Sequence, residues 1–166
     1  ELGPLDVITD AAARRQFDVN VFGLLADTRA YLPRMQQRRA GRIINIASIA
    51  GHVAPAFWGI YAASKHAVEA ISDSLRQECA PFDIQVSIVE PWLVKTKFSG
   101  TAFDTLYRHD FSATPWAKYF TPDRKASDLK HYDKMAVEPD AVSDAVLDAA
   151  TSSNPRARYM VPRWAK

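Results

Sequence analysis

Hydrophobic and polar positions follow two different periods along this chain. From Thr9 to Ala40 the period is helical: Phe17, Val21, Leu24, Leu25 and Leu32 recur at three- and four-residue spacing, with Thr28 on the same stripe. Thr9 or Asp10 is placed to cap the start of this helix, Pro33 predicts a kink or an end to its first part, and Ala40-Gly41 predicts a stop. RIINIA, residues 42–47, is short, apolar and β-branched, as a buried strand requires. Residues 49–60 contain Gly51, Pro55 and Gly59 and read as a loop. The helical period returns over 61–80, with Ala67, Val68, Ile71, Leu75 and Cys79 on the inward stripe and Pro81 closing it. IQVSIVEP, residues 84–91, is a second buried strand stopped by Pro91. No sustained period runs through 97–136, which reads as an irregular, lid-like segment with one short helix. Pro139 opens a third amphipathic helix, DAVSDAVLDAA, and RARYMVPR supplies a last strand.

Helices alternating with short buried strands predict an α/β fold, a parallel sheet with helices on its faces. Residues 1–166 form one domain on this reading, with 97–136 as a substrate lid within it. Three strands make a thin sheet whose first strand has an unpaired edge, so the pattern is that of half a doubly wound domain.

Composition narrows the field. Apolar residues make up 48% and charged residues 24% of the 166, an ordinary globular balance. The net charge of +2 is too mild for a nucleic-acid partner, and Arg34, Arg38, Arg39 and Arg42 read as a solvated helix end. No apolar run approaches the roughly 18 residues of a membrane span. The single cysteine, Cys79, excludes an internal disulfide and fits a reducing, cytoplasmic setting.

In parallel sheets, ligands bind beyond the carboxyl ends of the strands. Ser48 follows the first strand, residues 91–96 follow the second, and Tyr61 and Lys65 open the helix between them, so one rim gathers all of these. The i, i+4 spacing makes Tyr61 and Lys65 neighbours. A cation and a helix N-terminus both favour the phenolate, so the expected Tyr61 is tuned toward proton transfer, with Ser48 holding the oxygen that changes between carbonyl and alcohol.

NIASIAG, YAASKHAVEAISDSLRQE and IQVSIVEPWLVKT together resemble the short-chain dehydrogenase/reductase family, over nearly all of residues 1–98 and more weakly through EPDAVSDAVLDAA and RARYMVP. The resemblance implies the C-terminal half of a Rossmann-type sheet. It implies an oxidoreductase that interconverts a secondary alcohol and a ketone with NAD or NADP, the choice between them not being readable here. It further implies roles: Tyr61 as general acid or base, Lys65 lowering its pKa and holding the nicotinamide ribose, Ser48 orienting the substrate, and Asn20 in FDVNVFG supporting a proton relay. Pro91, Val94 and Thr96 would line the nicotinamide. Trp92 stands among them where the family usually has Gly. The family's GxxxGxG and NNAG segments are absent, and ELGPLD resembles the family's segment just after NNAG, so the chain is expected to match the C-terminal part of a family member.

Other residues raise other readings. His52 soon after Ser48 raises a Ser–His hydrolase, but no GxSxG surrounds the serine and no acid is placed by sequence to orient the histidine. His66, His109 and His131 have no metal-ligand spacing, so no metal is expected. Phe103, Tyr107, Phe111, Trp116, Tyr119 and Phe120 either cover an apolar alcohol or ketone or form a satellite core. The family implies a homo-dimer or tetramer through helices 10–40 and 61–80. A non-catalytic remnant acting as a dimerisation or interaction module is the alternative to an enzyme.

Overall fold

The structure, a computed structural model, describes residues 1–163; the last three residues of the expected 1–166 domain lie outside the described residues. Helix α1 (Asp10–Phe17) is capped by Thr9, whose side chain accepts from the Ala12 N–H. It passes through a π-helical segment, Asp18–Gly23, into α2 (Leu24–Arg38). The break expected at Pro33 therefore falls earlier. Pro33 lies inside α2 without ending it, and the irregularity sits instead around Asn20 and Gly23, the weak helix formers of this stretch. Arg39, in the left-handed conformation (φ 51°), turns the chain sharply into β1 (Gly41–Ile46). A Cβ at Gly41 would come 2.6 Å from Met35 Sδ, so any larger residue would have to displace the Met35 side chain.

A short 3₁₀ turn, Ile49–Gly51, leads through the loop to α3 (Gly59–Cys79), then β2 (Ile84–Pro91). The expected irregular segment holds two helices rather than one, α4 (Lys97–Leu106) and α5 (Pro122–Met135). Thr96 and Thr121 cap them, with Pro122 in the first turn of α5. Helix α6 (Asp140–Thr151) and β3 (Arg158–Val161) complete the described chain.

The sheet is parallel throughout, in the order β1-β2-β3. Its central strand is buried on both faces. Ile84, Val86 and Ile88 pack toward Val68, Leu75 and Cys79 of α3, while Val89 packs toward Ala149 of α6. The α/β architecture expected from sequence is thus present, with helices on both faces. Among the described residues no helix is long and apolar enough to cross a membrane.

Ile88 is 0% exposed at the centre of this arrangement. Ile88→Ala is expected to lower stability by about 2–5 kcal/mol, since the surrounding strands and α3 cannot close the space. Urea unfolding of the two proteins checks this.

Candidate active site

Residues 41–46 of β1 pair with 84–89 of β2, and the ladder continues as Ala47 N–H donates to the Val89 carbonyl at 2.8 Å. That register sets Ser48 beside Pro91. The Ser48 hydroxyl donates to the Pro91 carbonyl at 3.3 Å and accepts from Ala50 N–H at 3.1 Å, capping the turn after it. Helix α3 then delivers Tyr61 in its first turn. The Tyr61 ring lies against Trp58 and Phe98, each with ring centroids 5.7 Å away. Lys65 lies one turn on, its ammonium 5.9 Å from the Tyr61 ring centroid and donating to the Ile46 carbonyl at 2.9 Å.

The electrostatics differ from the sequence expectation in one respect. Burial is the largest influence on Tyr61 and raises its pKa above the ordinary phenol value; a Ser48 hydrogen bond pulls it down, and Tyr132 adds to the rise. The phenol is therefore held neutral rather than drawn toward phenolate. Burial also lowers Lys65 to about 8, with Glu69 opposing the fall.

Asn20 sits in the π-helical segment, its amide donating to the Ser64 hydroxyl at 3.0 Å; Ser64 in turn donates to the Tyr61 carbonyl at 2.7 Å. The Leu24 N–H, which an unbroken α-helix would give to the Asn20 carbonyl, goes to Val21 instead. Ser64 was missed from sequence. Its signal was a hydroxyl on the inward face of a helix, where a partner must be found.

The end of β2 is fixed from three sides. Trp92 N–H donates to the Val161 carbonyl at 2.7 Å, the Tyr132 hydroxyl donates to the Val94 carbonyl at 3.2 Å, and Thr96 caps α4. Tyr132 carried no sequence signal, because its helix was itself not expected. Asn20, Ser48, Tyr61, Lys65, Pro91, Trp92, Val94 and Thr96 all line one cavity of about 620 Å³. The Trp92 indole N–H is buried and has no hydrogen-bond partner. Trp58, Trp92, Leu93 and Tyr132 also border a second cavity of about 360 Å³, walled by Phe57, Phe103, Tyr119 and Phe120. The aromatic residues are both wall and core: Phe103 is buried with Leu2, Leu106 and Tyr132, and Phe111 stacks on Phe120 at 4.2 Å. His52, for which the sequence offered no acid, meets Glu90 from β2 at 3.0 Å. His66 bonds the Ala62 carbonyl within its own helix.

Comparison with known proteins identifies the family and the fold. Residues 1–106 match the family model described as short chain dehydrogenase. Human retinol dehydrogenase 8 is 33% identical over 159 residues, covering 95% of this chain and 51% of that protein. A short chain dehydrogenase from Burkholderia cenocepacia, solved in complex with NADP, aligns with a TM-score of 0.68 at 25% identity, over 96% of this chain and 54% of that one. A short chain dehydrogenase/reductase from Burkholderia phymatum, solved in complex with NAD, shares the fold with a TM-score of 0.74 at 24% identity, over 97% and 57% of the two chains. The chain belongs to the short-chain dehydrogenase/reductase family of oxidoreductases. It spans about half the length of these relatives.

Lys65 is expected to titrate near pH 8, charged below and neutral above. Carbon-13 NMR of labelled lysine ε-carbons should show that midpoint, absent in Lys65→Arg. If no midpoint near 8 is lost in Lys65→Arg, burial does not act on Lys65 as described.

Proposed function

We propose that this site interconverts a secondary alcohol and a ketone, with Tyr61 as general acid and base and NAD or NADP as the cofactor. The observation carrying the proposal is the convergence of Ser48, from the turn after β1, with Tyr61 and Lys65, from α3, on the one cavity. The lining suits the nicotinamide end of such a cofactor: Lys65 and Thr96 bring a cation and a hydroxyl to an otherwise largely apolar wall with Pro91, Trp92 and Val94. No glycine-rich phosphate loop occurs among these 166 residues. When bound, the nicotinamide supplies or accepts the hydride.

The protein's own groups handle the proton. In the reductive direction the Tyr61 hydroxyl gives its proton to the substrate oxygen, which Ser48 holds by hydrogen bond. Burial keeps that proton on the phenol until a substrate oxygen needs it. The Lys65 ammonium, charged at neutral pH, then steadies the phenolate left behind. The Asn20 carbonyl, not bonded to Leu24, is an acceptor through which a water could return a proton. In the oxidative direction the same groups act in reverse.

The apolar walls and the adjoining aromatic chamber support a long apolar substrate, in keeping with the name of the human relative, a retinol dehydrogenase. A reducing, cytoplasmic setting fits the single buried thiol of Cys79. For association of copies through residues 10–40 and 61–80, the first stretch offers Val19, Phe22 and Tyr31, large apolar side chains left exposed on the π-helical segment and α2. The same observation favours the second reading, an interaction module without turnover.

Fluorescence titration with NADH and NADPH should give saturable binding to the chain. Tyr61→Phe should keep that binding and lose about 10²–10⁴-fold in turnover of apolar secondary alcohols. A folded chain that binds neither cofactor and self-associates would sink the enzyme reading in favour of the module.

A further inference from the structure

A cluster of charged side chains lies behind the catalytic rim, on the α3 face of the sheet. His52 comes from the turn after Ser48, Glu69 from α3 and Glu90 from β2. Glu69 and Glu90 are 6% and 1% exposed. The imidazole Nε2 stands 3.0 Å from Glu90 Oε1 and 3.9 Å from Glu69 Oε1. The three ligand-type atoms all lie within 4.8 Å of one another.

Two features set this cluster apart from an ordinary ion-pair network. First, charge does not balance. Arg158 is shared among Glu69, Glu90 and Asp73, and Arg76 pairs with Asp73, so three carboxylates meet two guanidinium groups. Second, Glu69 Oε1 is buried without any hydrogen-bond partner among the described residues, although the other oxygen of the same carboxylate pairs with Arg158. An unpaired carboxylate oxygen at such depth is costly unless a cation meets it. Gly51 lets the backbone press close: a Cβ there would lie 2.7 Å from Glu69 Cγ and 3.1 Å from its Oε1.

We propose that His52, Glu69 and Glu90 bind one divalent metal ion of the zinc class. One imidazole nitrogen and two carboxylate oxygens suit zinc or cobalt better than the all-oxygen cages of calcium and magnesium. Ligand atoms about 2.0–2.2 Å from a tetrahedral ion lie roughly 3.3 Å apart, so side-chain shifts of under about an ångström complete the set for the two measured spacings. The imidazole is 41% exposed, which opens a path for the ion and a fourth position for water. Arg158 holds the Glu69 carboxylate by its other oxygen, as partners of metal ligands do, and on Glu90 it shares Oε1 with the ion. The ion would tie the turn carrying Ser48 to the strand end carrying Pro91 without touching substrate. This inference is independent of the proposed reaction.

The test uses the chain without a polyhistidine tag, stripped by chelator, in calorimetric titration with zinc chloride and in visible spectroscopy with cobalt(II). One equivalent should bind with a micromolar or tighter Kd, cobalt should give an absorption band whose position reflects its geometry, and zinc should raise Tm. His52→Ala, altered at a partly exposed residue and expected to fold, should weaken binding at least about tenfold and abolish the Tm response. Glu69→Gln should do the same. No saturable zinc binding by the parent chain would overturn the proposal, leaving an ion-pair network only. Unchanged binding in folded His52→Ala would overturn it equally, placing the metal elsewhere.

Discussion

The parallel pairing of β1 with β2 is the constraint on which the site depends. Because the strands run the same way, their carboxyl ends reach one rim, and because Ile46 pairs with Val89, the next residues out are Ser48 and Pro91. The connection between parallel strands must return to the opposite edge of the sheet, and here it does so through α3. The helix therefore begins at the same rim, with Tyr61 in its first turn and Lys65 one turn later. None of Ser48, Tyr61 and Lys65 is brought in by a long excursion. Ser48 hydrogen-bonding to Pro91, and Lys65 hydrogen-bonding to Ile46, are side effects of the sheet register, and both hold functional side chains in place.

Electrostatics follow from the same packing. The rim lies beside the apolar centre of the sheet, so its ionisable groups are largely dehydrated. Dehydration disfavours charge on either sign of group, and it moves Tyr61 up and Lys65 down together. The two shifts keep a neutral acid next to an ammonium that still carries most of its charge at neutral pH. Sequence spacing reveals the pair but not the burial, and so suggests the opposite direction for the phenol.

Other parts of the structure were legible in proportion to how local their causes are. IQVSIVEP reads as a buried strand because nearly every side chain in it is inward on one face or the other, and the structure places β2 over those same eight residues. All eight residues expected at the site line one cavity, since topology alone carries strand ends and helix starts together. Helix α4 does carry an inward stripe, Ser99, Ala102, Phe103 and Leu106, but it is short and half of it is small or polar, while α5 buries Tyr132 alone and so shows no stripe to read. Ser64, Tyr132 and the Glu69–Glu90–Arg158 group depend on partners between 38 and 89 residues away, and no spacing rule reaches that far. The π-helical segment was half visible: Asn20 marked the place, while Pro33 drew attention elsewhere.

Two polar pairs join α3 to its surroundings. Asn20 meets Ser64 near its start, and the buried Asn45 of β1 meets Ser72 two turns further on, at 2.8 Å. Apolar contacts tolerate sliding, since one methyl group replaces another at little cost. These pairs do not, because a slip of one turn would take both asparagine amides off their serine partners at once, while the hydroxyls keep only their own helix carbonyls. They work as the two marks of a vernier, fixing where along its own axis the helix comes to rest. The height of the Tyr61 oxygen above the sheet is thereby set by asparagines that need never meet a substrate.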